Sequence, residues 1–135
     1  FSTGTENSGI SIFIQNERFV VDYNAFDDHS VVRSNIEIPI GYSTLRAQFR
    51  RLKRGGEITI YVNEEPSGSI EIPLFMRMIS SVGSSIGYDH GSAVSPQYES
   101  PFPFSGELHQ IEIQLAARRA SDADQAQARA ENARQ

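Results

Sequence analysis

Apolar residues recur at every second position along most of this chain, a period that builds strands and cannot build a helical core. Ile10, Ile12 and Ile14 alternate with Ser11 and Phe13, residues 19–23 form a mixed apolar run, and Ile36, Ile38 and Ile40 alternate with Glu37 and Pro39. Each of the three segments reads as a strand. Leu45, Ala47 and Phe49 alternate with Arg46, Gln48 and Arg50, and Ile58, Ile60 and Val62 alternate with Glu57, Thr59 and Tyr61. The turn between those two runs contains Gly55-Gly56, the signal of a hairpin. Asn63-Glu64-Glu65-Pro66 reads as the next turn. Ile70 and Ile72 resume the alternation, and Pro73, having no N–H to donate, ends it or marks a sheet edge.

Beyond Pro73 the pattern is less regular. Leu74, Phe75, Met76, Met78 and Ile79 fit either an apolar turn of helix or a buried crossing, and residues 82–88 read as a strand softened by Gly and Ser. Residues 89–106 are rich in turn formers, prolines and aromatics, so they are a structured crossing loop rather than a helix. The loop leads into residues 107–115, where Leu108 precedes Ile111, Ile113 and Leu115 on one face; this strand is expected to close the sheet. Phe102 and Phe104 are expected to plug the end of the fold.

The fold class that follows is all-β, an antiparallel two-sheet sandwich of jelly-roll type made of short strands joined by turns. At 135 residues the chain has the size of one compact domain. Residues 1–9 read as an entry linker, residues 10–115 as the sandwich, and residues 116–135 as a polar tail rich in Ala, Arg and Gln. Alanine and arginine favour helix, but a face of alanine alone has little to bury, so the tail is expected to be a marginal helix or disordered. The first residue is Phe1 rather than Met, which reads as a fragment of a longer chain.

No apolar run approaches the roughly 20 residues of a membrane-spanning helix, so the fragment is expected to be soluble with no membrane partner. The compartment stays open between cytoplasm and periplasm or secretion. A net charge of −5 gives a phosphate backbone little to bind, so no nucleic-acid partner is expected. The one basic cluster, Arg46, Arg50, Arg51, Lys53 and Arg54, reads as an outward strand face and turn rather than an anion site. With no cysteine, disulfides, thiolate metal sites and a cysteine nucleophile are excluded.

No catalytic motif is present. The three histidines, His29, His90 and His109, lack the helical spacing that brings two onto one metal, and each reads as a surface residue. There is no Gly-x-Ser-x-Gly elbow and no phosphate loop. Acids meet a histidine at Asp27-Asp28-His29 and Asp89-His90. Asp89, and less so Asp27, are calcium candidates, because that ion takes carboxylate and loop carbonyl oxygens. The competing reading is that Asp27-Asp28 starts a turn and Asp89 caps one through backbone amides. Tyr88, Asp89, His90 and Tyr98 are the candidate contacts to a ligand or a neighbouring domain, with no catalytic residue among them.

Two stretches carry a family resemblance. Ile-Thr-Ile-Tyr-Val-Asn at 58–63, followed by a turn and Gly-Ser-Ile-Glu-Ile at 68–72, resembles the strand, turn and strand of concanavalin- and laminin-G-like sandwiches. Gly-Tyr-Asp-His-Gly-Ser-Ala-Val-Ser-Pro-Gln-Tyr at 87–98, then Pro-Phe-Pro-Phe-Ser-Gly at 101–106 and the final strand, resembles the C-terminal β-sandwich domain that follows the catalytic domain in many bacterial arylsulfatases. That pattern reads Gly-x-Asp-x-Gly-x-Pro-Val-Ser-x-x-Tyr, then Pro-Phe-x-Phe-x-Gly. Ala93 stands where the family has proline. The sulfatase nucleophile belongs to a Cys/Ser-x-Pro-x-Arg motif in the preceding domain, and this sequence has no such motif. The resemblance therefore implies an accessory domain, without its own cofactor, partnered by the catalytic domain of its parent. The alternative is a carbohydrate-binding module of concanavalin-like fold, with glycan as partner and calcium as an optional ion.

Overall fold

The computed structural model describes residues 1–76 and 83–115; the second half of the apolar segment after Pro73 and the polar tail lie outside the described residues. The described residues form two antiparallel sheets and no helix. The first sheet contains β1 (Ser2–Gly4), β2 (Gly9–Gln15), β3 (Arg18–Ala25) and β4 (Asp28–Arg33). The second contains β5 (Leu45–Arg51), β6 (Gly56–Val62) and β7 (Glu65–Ile72). Neighbouring strands in each sheet are consecutive in the chain, so both sheets are meanders. The crossing connection of a jelly roll would have to come from outside these seven strands.

Tight turns set the register. Asn16-Glu17, Phe26-Asp27 and Asn63-Glu64 all take positive φ at both positions, from 50° to 68°. Two successive left-handed residues twist a hairpin in the sense its strands already have. Asn suits the first position. Phe26 does not, and its ring is 72% exposed, so no packing offsets the backbone strain. Gly55, with φ 64°, closes the β5–β6 hairpin, and a Cβ there would lie 2.0 Å from the Ile72 carbonyl oxygen. Pro66 sits in β7, an edge strand, beside the bulge at Ile60/Tyr61.

The sheets bury a shared apolar core. Phe19, Val21, Tyr23 and Ala25 of β3 and Val32 of β4 meet Ile58, Ile60 and Val62 of β6 and Ile72 of β7. Burial then falls toward one flank. Ile10 and Ile12 of β2, and Leu45, Ala47 and Phe49 of β5, turn toward the same core but stay only partly buried.

Several expectations change. Residues 36–40 are not a strand: they lie in the strap that carries the chain from the first sheet to the second. The Ser34 amide donates to the Phe19 carbonyl, the Asn35 amide to Ser67 and the Ile38 amide to Glu17, so the strap is pinned at separate points. Proline at 39 has no amide with which to continue a ladder. The linker expected at 1–9 contains β1. The strand expected at 82–88 is reduced to one bridge, Ser85 with Ser2. Residues 107–115 form no ladder, and Leu108, Ile111, Ile113 and Leu115 are 49%, 37%, 66% and 88% exposed.

Candidate functional site

Alternation places Ser11 and Phe13 of β2, and Val20, Asp22 and Asn24 of β3, on the face turned away from the second sheet. A one-sided sandwich would leave that face wet. Here the crossing loop covers it, and Phe13, Val20 and Tyr98 make a second small core with Phe102 against them. β3 is therefore buried on both faces along almost its whole length.

Asp89 is the centre of the loop. Its Oδ1 accepts the Ser2 hydroxyl at 3.0 Å, and its Oδ2 accepts the Val94 amide at 2.9 Å and also the Tyr98 hydroxyl. The phenol oxygen of Tyr98 in turn accepts from Ser11 at 2.7 Å. Burial, and then the hydrogen bond to Asp89, push the Tyr98 phenol well above its ordinary range, with the Ser11 bond opposing them. Tyr98 thus stays a donor to Asp89. Its ring stacks on Phe102 at 4.6 Å and meets the edge of Phe13 at 5.0 Å. Further anchors close the loop on itself, Asp89 amide to Pro101 carbonyl and Phe104 amide to Gly87 carbonyl.

A second knot lies one step along the sheet. Asp22 is fully buried; its Oδ1 stands 2.9 Å from Nδ1 of His29, and its Oδ2 accepts the Ser95 hydroxyl at 2.5 Å. Asn24 donates to the carbonyls of Glu6 and Val94 and accepts the Asp27 amide. A serine, a histidine and an aspartate are thus together, but in the wrong order for nucleophilic catalysis. The relay needs histidine between the other two, and here aspartate is in the middle, so the Ser95 proton points to a carboxylate. Among the described residues, every buried side-chain nitrogen and oxygen has a hydrogen-bond partner. The arrangement can anchor the loop; it cannot activate Ser95.

The four candidate contacts separate by orientation. Asp89 and Tyr98 face inward and are committed to the scaffold, while Tyr88 and His90 face solvent, edge to face with ring centroids 6.4 Å apart. The capping reading of Asp89 matches its bond to the Val94 amide. A calcium ion at Asp89 would have to displace three donors. Asp27 does lie in a turn, its carboxylate 3.5 Å from Nε2 of His29. These two residues, with Glu6, Ser95 and Pro96, line an open cleft of about 250 Å³. Among the described residues no group of three or more His, Cys, Asp or Glu is placed to hold a metal ion.

His29 is not the free surface residue expected, because Asp22 holds its inner nitrogen. Sequence reasoning also passed over Ser11, Asp22, Asn24 and Ser95. The signal was weak: in residues 19–25 one face carries Phe19, Val21, Tyr23 and Ala25, while the other carries Val20 beside Asp22 and Asn24, the composition of a solvated face. Phe104, expected as a plug, is 40% exposed and packs on Gly106. The basic cluster behaves as an outward face: Arg46 pairs with Glu64 and covers Tyr61, Arg50 pairs with Glu57, and Arg51 covers Phe75. Comparison of the chain with protein-family profiles, with curated proteins and with solved structures finds no match.

Proposed function

We propose that this chain is a non-catalytic accessory domain of a sulfatase-like hydrolase, in which a separate catalytic domain of the same parent hydrolyses the sulfuric ester. The observation that supports this reading is that Gly87, Asp89, Gly91, Val94, Ser95, Tyr98 and Phe102, within the stretch that resembles arylsulfatase C-terminal domains, all serve the scaffold. Gly87 and Gly91 take φ of 85° and 81°, Asp89 gathers Ser2, Val94 and Tyr98, Val94 and Ser95 are fully buried, and Tyr98 stacks on Phe102. Such a motif is a folding signature: it holds a long loop flat on a sheet. A domain rigid in this way suits a packing or framing role beside a catalytic partner.

The reading requires a Cys/Ser-x-Pro-x-Arg motif upstream in the parent reading frame, and a parent frame without one overturns it. Purified chain incubated with an aryl sulfate should release no sulfate above the buffer rate; turnover would likewise defeat the proposal.

The exposed Tyr88–His90 pair favours a second reading, a carbohydrate-binding module, since an exposed aromatic ring offers a face for a sugar and the imidazole a polar neighbour. Calorimetric titration with neutral and sulfated oligosaccharides, with and without chelator, tests it. Binding lost in Tyr88→Ala supports the module, and no heat with any glycan removes it.

A further inference from the structure

We infer that the free edge of β5 is a strand-acceptor site and that its occupant is this chain's own segment 107–115. The inference goes beyond the accessory-domain reading and does not depend on it.

Burial locates the gap. On β6, Ile58, Ile60 and Val62 are closed from solvent, whereas their neighbours on β5, Leu45, Ala47 and Phe49, are only partly covered. Across the interface the same gradient runs from Val21 and Tyr23 on β3 to Ile10 and Ile12 on β2. Both gradients point to the flank where β5 is the last strand of its sheet. Among the described residues nothing pairs with the outer edge of β5, and a sheet edge with apolar side chains behind it is ordinarily covered or blunted.

Segment 107–115 has the shape and chemistry of the missing strand. It is of comparable length to β5, carries no assigned helix or turn, and alternates Ile111, Ile113 and Leu115 with Gln110, Glu112 and Gln114. Set with Ile113 beside Ala47, its apolar side chains fall over the Ile10–Ile12 gap. Glu112 then falls on the outer face among Arg46 and Arg50, which carry opposite charge. The segment already lies close: the His109 ring contacts Tyr42 at 5.6 Å, at the end of the strap that leads into β5. Docked, it would bury three side chains that now stand exposed, Ile111, Ile113 and Leu115. Undocked, it leaves an acceptor edge and a donor strand in one molecule.

The absence of cysteine makes the test clean. Facing Cβ atoms on paired strands lie about 5 Å apart, within reach of a disulfide after small adjustment. The doubly substituted chain Ala47→Cys/Ile113→Cys, oxidised at low concentration, should give a monomer two mass units lighter, without free thiol. Hydrogen exchange on the unmodified chain is the independent measurement: amides of 110–115 should exchange at least about tenfold more slowly than unstructured peptide, and Ile113→Asp should abolish that protection. Disulfide-linked dimers would make a second copy the occupant and overturn the inference. Free thiols with unprotected amides would overturn it as well.

Discussion

The two faces of the first sheet are covered by different physics. Its inner face meets the second sheet through side chains that are almost all apolar, Val21, Tyr23 and Val32 against Ile58 and Ile60. Its outer face meets an irregular loop through Phe13, Val20 and Tyr98, interleaved with Ser11, Asp22 and Asn24. Apolar contact is non-directional and tolerates sliding. A loop has no ladder to fix its register, so it needs bonds with direction, and a buried carboxylate accepting three donors supplies them at Asp89. Cover by a sheet therefore needs only shape, whereas cover by a loop needs chemistry.

Substitutions on the two faces should separate these modes. The largest effect belongs to the inner face: Ile60→Ala removes a fully buried side chain and should cost about 4 kcal/mol of unfolding free energy, read by chemical unfolding, leaving Asp89-dependent loop protection intact until global unfolding. Asp89→Ala strands three donors and should cost about 3 kcal/mol, and it should also release the amides of the crossing loop to exchange before the sheets open. If both variants lose loop and sheets together, the two faces form one cooperative unit and the comparison fails.

Tyr98→Phe keeps the ring stack and removes one hydroxyl, so about 2 kcal/mol should be lost, with little change in the sheets. The same hydroxyl gives a pH dependence. Because its folded value is raised above the ordinary 10.0, its contribution is complete below pH 10 and is lost as pH rises beyond that toward the folded value. Denaturation in alkali should thus be steeper for the unmodified chain than for Tyr98→Phe, and parallel curves would show that the phenol is not held by Asp89. The smallest expected change is a gain: Phe26→Gly relieves a left-handed aromatic residue at an exposed turn and should stabilise by about 1 kcal/mol. A loss there would mean that the Phe26 ring packs on something.

The β5–β6 hairpin was legible because it is a local agreement between alternation and turn, whereas β4 carries no apolar alternation to read. Residues 45–62 pair as the pattern implies, Leu45 with Val62 through Arg51 with Gly56. Residues 36–40 have the same alternation and form no strand: the Ile38 amide goes to the Glu17 carbonyl, and Pro39 has no amide to continue a ladder. The site was legible only in part. Asp89 and Tyr98 stood out through their motif, but their direction could not be read, because a loop has no period to assign faces. Asp22, Asn24 and Ser95 resembled ordinary wet-face residues, and only the loop folding over them made them interior.

By itself, then, the order of residues determined the all-β class, the Gly55 hairpin and the turn at Asn63-Glu64, since these depend on side-chain period and φ within a few neighbours. Tertiary structure alone decided that one sheet is covered twice, that an aspartate stands between a serine and a histidine, and that residues 107–115 lie outside any ladder. Those outcomes join positions as distant as Ser2 and Asp89. They depend on which surfaces meet when the chain closes, and no local pattern contains that choice.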